Sequence, residues 1–573
     1  MTIISIAGCL AKLAACASLL CPAAALAAGI VTLCDSDVQH VPGLPGLNLR
    51  DAVAGGGTVT FACKPGTTIR ITRTHAIPAP TVVDGDNAVG FKTDSAHAMF
   101  TVSHTLTLRG RTLSNGFIGL PTLSGPTGIV AGPGVLILEH SQVRNTANPF
   151  HLDTIRAHHC VFEQNSGPAV IWARVALIHH SSFAGNNAVA VRSPLVPEAV
   201  RPSVAVVMDS TFTRNESGLW WVGTLHVARS TFTDNDNKGR PGGAIRIRGS
   251  ARVEHSGFDR NHASAGGAIW MDGGSLTLRR AVFHDNVAAT DGGAIGVGEI
   301  DEAAIVSQYA TFTGNTAVRG GALKLGIGGT RIALQGGPNT FARNRASQGG
   351  AIYADFGRIQ LARAVFSDNQ ASTEGGAVFS SRRGSPVAAV FANSLLVRNT
   401  APQGAAVSGT AVVLINSTVA SNQGVAIALQ PLSHFSDAGA RGEIDLRNSV
   451  VSNNAGGNCS TLPPGHVAKG NGHNLQFPGN ECGSAAATAD PMLDALYVPQ
   501  PGSPAFAGGD NLICLASPID AKDIYGASRP QGASCAVGAV EGDIDPRLFI
   551  RLLWRLRDTL QQQYSFVASR LGK

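Results

Sequence analysis

Residues 266–286 read GGAIWMDGGSLTLRRAVFHDN, and the fold is decided in this stretch. Gly266-Gly267 supplies a sharp turn, because glycine reaches positive φ without a Cβ clash. Ile269 and Met271 then alternate with Trp270 on the opposite face, the period of two that marks a strand. Gly273-Gly274 turns again, Leu276 and Leu278 alternate as a second strand, and Phe283 fills a core before Asn286 takes the next turn. Three short strands and three turns make one coil of a solenoid, each strand bonding to the coils above and below.

Both halves of this stretch recur. Phe-x-x-Asn returns at Phe162/Asn165, Phe183/Asn186, Phe212/Asn215, Phe232/Asn235, Phe258/Asn261, Phe283/Asn286, Phe312/Asn315, Phe341/Asn344 and Phe366/Asn369. The nine phenylalanines span 204 residues in eight steps, or 25.5 per step. Between them, Gly-Gly-Ala-apolar starts at Gly242, Gly266, Gly292, Gly320, Gly349 and Gly375, with degenerate copies at Leu396/Asn399, Gly404-Ala405-Ala406 and Val419/Asn422. A β-propeller blade needs about 40 or more residues, and a leucine-rich repeat needs a Leu/Asn consensus this chain lacks. The period predicts an all-β, right-handed parallel β-helix with a ladder of inward asparagines (Asn215, Asn235, Asn261, Asn286 and Asn315 among them), each amide bonding to the next.

These alternating units resemble the repeats of the polymorphic outer-membrane protein family, over roughly residues 150–425. The end of the chain is similar to the terminal module called choice-of-anchor Q, on Asp490-Pro491-x-Leu493, Pro501-x-Ser503-Pro504-Ala505, Asp523-x-x-Gly526, Arg529-Pro530 and Cys535-x-x-Gly538-Ala539-x-Glu541. Asn48-Leu49-Arg50-Asp51-Ala52-Val53, followed by Thr58-Val59-Thr60-Phe61, resembles the segment that opens such proteins. The resemblance implies a pectate-lyase-like solenoid at a cell surface and no particular activity, since a shared fold does not carry function. Nothing after residue 543 reads as the alternating strands of a membrane barrel, so display through a barrel of its own is not expected.

Composition agrees with a glycine-punctuated β protein: the 573 residues include 68 Gly and only 14% charged side chains. Residues 1–27 carry one charge, Lys12, run apolar from Leu13 to Leu26 and end in Ala25-Leu26-Ala27, a small-x-small cleavage site. An export signal is expected there. Cys34 and Cys63 then lie near the mature start, and Cys459, Cys482, Cys514 and Cys535 near the end, while Cys160 is odd. In an exported chain this clustering predicts three disulfides pairing neighbours in order, Cys34–Cys63, Cys459–Cys482 and Cys514–Cys535. No spacing suggests zinc, and no cofactor is expected.

The net charge of +6 is concentrated in residues 544–573, where Arg547, Arg551, Arg555, Arg557, Arg570 and Lys573 face only Asp545 and Asp558. Without that tail and Lys12 the body carries about +1, so nucleic-acid binding is not expected.

The domains read as a signal peptide (1–27), an N-terminal cap with the first coils (28–115), the repeats (116–455), a disulfide-bonded module (456–543) capping the far end, and a basic amphipathic helix (544–573). Leu47–Ala54 reads as a short helix covering the first coil, and an open solenoid needs such covers against edge pairing. The tail's stripe of Phe549, Leu552, Leu553, Leu556, Leu560, Tyr564, Val567 and Leu571 suits packing on the rod or peripheral contact with an anionic membrane. A monomer is expected.

His159, His180 and Asp209 hold equivalent places on successive coils and read as polar residues on a solvent lane; no metal is assigned to them. Cys160 shares a lane with Ser181, Ser210, Ser230 and Ser256 and reads as a buried, inert thiol.

No catalytic constellation emerges. Hydrolysis of a polysaccharide needs two carboxylates about 5–10 Å apart, and a lyase needs a base beside clustered calcium-binding aspartates; neither pattern is present. The chain therefore reads as a structural or adhesive protein binding acidic glycans or other cell-surface partners, the alternative being a polysaccharide lyase or glycoside hydrolase on the same scaffold. The middle residue of each Gly-Gly-Ala-apolar strand faces outward by alternation. That position gives Trp221, Arg246, Trp270, Gly296, Lys324, Tyr353 and Phe379, a lane of aromatics and cations suited to stacking on sugars.

Overall fold

The computed structural model describes residues 27–34, 37, 47–85, 89–93, 98–114, 130–147, 149–194, 202–299, 303–326, 331–334, 337–354, 358–380, 389–430 and 442–542. The expected export signal through residue 26 and the expected basic helix 544–573 lie outside them. The chain divides into two compact units, residues 1–165 and 166–573.

In the first unit the helix is Leu49–Ala54, two residues shorter than expected. Leu47 pairs with Val31 as a bridge, and Asn48 begins the helix by accepting from the Asp51 N–H at 2.9 Å. Cys34–Cys63 fastens this end, with Cα atoms 5.7 Å apart. Strands Gly57–Phe61, Thr81–Asp84, Thr105–Arg109, Val130–Glu139 and Phe150–His158 stack in parallel. Inside, the Arg111 guanidinium lies 4.2 Å from the Phe61 ring centre and 5.2 Å from that of Phe91, and Nη1 donates to the Val89 carbonyl. A charged side chain is held in this core by aromatic faces and a carbonyl.

The second unit is the solenoid that the repeat predicts: a right-handed parallel β-helix. Ile245 pairs with Ile269, Ile269 with Ile295 and Ile295 with Leu323, every ladder parallel. In the earlier coils two of the three expected strands run together as one long, bent strand, such as Ser217–Ala228, Ile245–Glu254 and Ile269–Arg279. Their bends align Gly223, Gly249 and Gly274, and a Cβ on any of them would strike the preceding coil's backbone. From Ile295–Val297 and Ala303–Gln308 onward the two strands are separate. The Gly-Gly pair divides its work. Gly266 has φ +58°, whereas the second glycine, Gly267, is required because a Cβ there would run into the Gly293 carbonyl.

Two stacks of side chains run through the interior beside the aliphatic rows of the strands. Phe183, Phe212, Phe232, Phe258, Phe283, Phe312, Phe341 and Phe366 lie face to face, ring centres 4.7–5.0 Å apart. Beside them run the asparagines, from Asn186 to Asn454, all buried. The Nδ2 of Asn286 donates to Asn315 Oδ1 and to the Phe258 carbonyl, each at 3.0 Å, and its Oδ1 accepts from the Nδ2 and backbone N–H of Asn261. Both N–H donors and both oxygen lone pairs of the amide are thus used, as a buried amide requires.

The disulfide-rich end differs from a simple lid. Val467–Gly470 and Leu475–Phe477 still pair with Glu443–Arg447 and Val450–Ser452, so the coil continues. Residues 490–542 then fold back along the flank. There the Asn393, Asn416 and Asn448 amides donate to the carbonyls of Lys522, Ala536 and Asp510, while Tyr497, Val498, Ile524, Ala539 and Val540 pack on Leu395, Val397 and Ala420. Asn393 takes the place that Arg363 holds one coil earlier, and Leu395 and Val397 are apolar, so this flank needs cover. Cys459–Cys482 and Cys514–Cys535 are both formed, with Cα separations of 5.1 and 6.6 Å.

Inside the fold-back segment, Asp523 Oδ1 accepts from the N–H groups of Tyr525 and Ala527, and Glu541 accepts from those of Gln531 and Ala536. Arg529 Nε stands 3.5 Å from Glu541 Oε2, both buried.

Candidate functional site

Strand register assembles one outer row across the second unit. Trp172 pairs with Arg192, Arg192 with Trp220, Trp220 with Arg246 and Arg246 with Trp270. The row continues through Gly296, Lys324, Tyr353 and Phe379. Its first five members, all partly exposed, alternate aromatic and cation. The Arg192 guanidinium carbon lies 5.0 Å from the Trp172 ring centre and 4.1 Å from that of Trp220, and Arg246 stands 4.9 Å from Trp220 on its other side. Each such contact contributes about 0.5–2 kcal/mol, more as water is excluded. Asp272 locks the end of the row: Arg246 donates to both its oxygens at 2.8 and 3.0 Å, and Trp270 Nε1 donates to Oδ1 at 2.8 Å.

Four residues assigned to an exposed lane from the sequence need correction. Trp221 is not on the row; it is fully buried in the core, and its neighbour Trp220 takes the outward place. Lys324, Tyr353 and Phe379 are on the row but only 2%, 6% and 4% exposed. Lys324 Nζ reaches the Val297 carbonyl and Glu299, and the rings of Tyr353 and Phe379 stack 4.9 Å apart. Alternation sets which way a side chain points, whereas exposure depends on what lies over the outside of the sheet. Arg246 and Trp270 stand where they were expected, and Trp172, Arg192 and Trp220 were missed. A signal existed for Trp220: it precedes Phe232 by twelve residues, as Arg246 precedes Phe258, whereas Trp221 precedes by eleven.

Beside the row, Val189, Ser217, Trp220, Asn237, Arg240 and Arg246 line a small crevice. Burial and the charges of Arg240 and Arg246 push Arg192 below its usual pKa.

The carboxylates of the turns are engaged as ion-pair partners. Asp209 accepts two bonds from Arg229, at 2.8 and 2.7 Å, which hold its carboxyl below the usual range. Asp234 pairs with Arg260, Asp291 with Arg319 and Asp368 with Arg398. Carboxyls pushed upward, Asp523 and Glu541, are those buried in the fold-back segment.

Cys160 is buried and its thiol donates to the Leu138 carbonyl; burial pushes its pKa up to about 11. In a chain lacking residues 1–27 it is expected to resist dithionitrobenzoate at about pH 8, because the thiolate is the reactive form, and to react as a single thiol once guanidinium unfolds the protein. Rapid labelling of the native protein would contradict this burial.

The fold and row define a repeat-built parallel β-helix with an aromatic–cation surface strip. Residues 363–381, which hold Phe366, Asn369 and Gly375-Gly376-Ala377-Val378, match the model of the Chlamydia polymorphic membrane protein repeat. No curated protein and no solved structure matches the chain. Among the described residues no helix is long and apolar enough to cross a membrane.

Proposed function

We propose that this is an exported cell-surface protein whose solenoid serves adhesion, holding glycans of a neighbouring surface without chemically altering them. The observation that carries the reading is the row Trp172-Arg192-Trp220-Arg246-Trp270. Indole faces held by flanking guanidiniums are rigid platforms of the kind that stack on the apolar faces of sugar rings, and little side-chain entropy is lost when they bind. The match to a polymorphic membrane protein repeat supports a surface location, and the similarity of residues 490–542 to a choice-of-anchor Q module supports the same placement.

A glycosidase reading has less support. It asks for a carboxyl raised towards neutrality beside a second carboxylate, whereas Asp209 and Glu254 are held low by arginines, Asp234, Asp291 and Asp368 are paired with them, and the raised carboxyls Asp523 and Glu541 are buried in the fold-back segment.

The test has two arms. Purified chain lacking residues 1–27 is expected to bind surface glycans on an array, and Trp172→Ala combined with Trp270→Ala to weaken that binding at least about tenfold (about 1.4 kcal/mol) while leaving circular dichroism and Tm nearly unchanged. Release of reducing or unsaturated sugar from polyuronides or glycosaminoglycans, lost on mutating one lane, would replace the adhesive reading with an enzymatic one.

A further inference from the structure

We propose that the crevice beside Trp220 is an anion subsite, taking the carboxylate or sulfate group of an acidic sugar whose ring lies on the tryptophan row; the inference rests on the glycan-binding reading above. Arg240 and Arg246 line it, and Arg192, against Trp220 on the side away from Arg246, is near enough for the charges of both to disfavour its own. Arg246 is matched by Asp272 through two hydrogen bonds. Arg240 stands at the rim with its side chain 67% exposed, and Glu216 approaches it only to 3.8 Å. Arg192 is the uncompensated member: among the described residues no carboxylate offsets it, and its Nε is buried without a hydrogen-bond partner. Among the described residues, positive charge therefore exceeds negative around this indole.

An anion entering the crevice beside Arg240 and Arg246 would offset the positive charge that these two share with Arg192. The planar fork of a guanidinium fits the two oxygens of a carboxylate or sulfate. Ser217 and Asn237 on the crevice wall add a hydroxyl and an amide of the kind that fixes a sugar's orientation. Position on the row matters equally, because Trp172 and Trp270 flank the crevice one or two coils away and provide stacking surface for neighbouring sugar units.

The experiment compares matched probes on the chain lacking residues 1–27 by isothermal titration calorimetry: oligogalacturonate against its carboxyl-reduced neutral form, and heparin oligosaccharide against its desulfated form. Acidic probes are expected to bind at least about tenfold more tightly than their neutral or desulfated counterparts, a preference that shrinks with added salt. Arg240→Gln, whose side chain is 67% exposed and off the row, is expected to remove most of the preference while leaving binding of the neutral form unchanged, and Arg192→Gln to remove most of it while also weakening the neutral form, because its guanidinium holds the Trp172 and Trp220 faces. Arg192→Lys keeps the charge and is expected to retain part of the preference, which separates loss of the anion contact from loss of fold. A preference for the carboxylate pair alone, or for the sulfate pair alone, identifies which anion the site takes. Equal affinity within both pairs, or a preference untouched by both glutamine variants, overturns the subsite and leaves the glycan reading standing. Absence of binding to all four probes overturns both.

Discussion

Asn286→Asp is expected to destabilise the solenoid by about 3–5 kcal/mol, since each buried group left unpaired costs about 1–3 kcal/mol and a charge costs more. The change is isosteric, so packing against the phenylalanine stack is kept. What is lost is donation: the native Nδ2 serves both Asn315 Oδ1 and the Phe258 carbonyl, and a carboxylate puts oxygen against oxygen at both. The protonated acid restores one donor. The variant's carboxyl is thus raised in the folded state, and its stability deficit is expected to be largest at neutral pH and to diminish as pH falls through that raised value towards the unfolded one. Urea midpoints of the variant and wild type across this range are the measurement, with Asn187→Asp, at an exposed position, as the control. A deficit below about 1 kcal/mol, or one independent of pH, would mean the ladder contributes little.

Glu541→Ala is expected to cost about 3–5 kcal/mol in the attachment of residues 490–542, because it leaves Arg529 charged and buried without its partner. Burial pushes the Glu541 and Asp523 carboxyls up and Arg529 down, so desolvation weighs heavily on all three. Glu541 additionally accepts the N–H groups of Gln531 and Ala536, which would be left without it. The double replacement Arg529→Met with Glu541→Leu removes both charges and is expected to be far milder than the single change. Limited proteolysis between residues 490 and 542, with Tyr497 and Tyr525 emission, reads the detachment. Equal effects of the single and double variants would show that the backbone contacts, rather than the charge pair, hold the segment.

What was legible in the sequence is what repeats. Phenylalanine and asparagine recur in the same relation because each copy meets its own neighbour at one coil's rise, so a local pattern reports a long-range contact. The disulfides were legible because the cysteines cluster at the ends. Trp221 shows where alternation alone misleads: two adjacent tryptophans fit it equally well until the count to the next phenylalanine decides between them. The burial of Lys324, Tyr353 and Phe379 depends on what lies over the sheet, which no period records. The fold-back of 490–542 onto Asn393, Asn416 and Asn448 joins residues 62 to 129 apart in the chain, without a repeat to announce it. Arg111 carries no local mark of its buried place either, since its partners Phe61 and Phe91 belong to other coils.

The asparagine ladder has a direction. From Asn186 to Asn422 each side-chain amide donates onward to the next coil's oxygen, Asn454 being the last acceptor, and the upper face of each of these coils presents the same socket that its lower face fills. Coils are therefore interchangeable couplers. A whole unit, from one Phe-x-x-Asn to the next, can be duplicated or excised with its two new neighbours already complementary, so the length of this region is free to vary in steps of one coil while the joints stay the same.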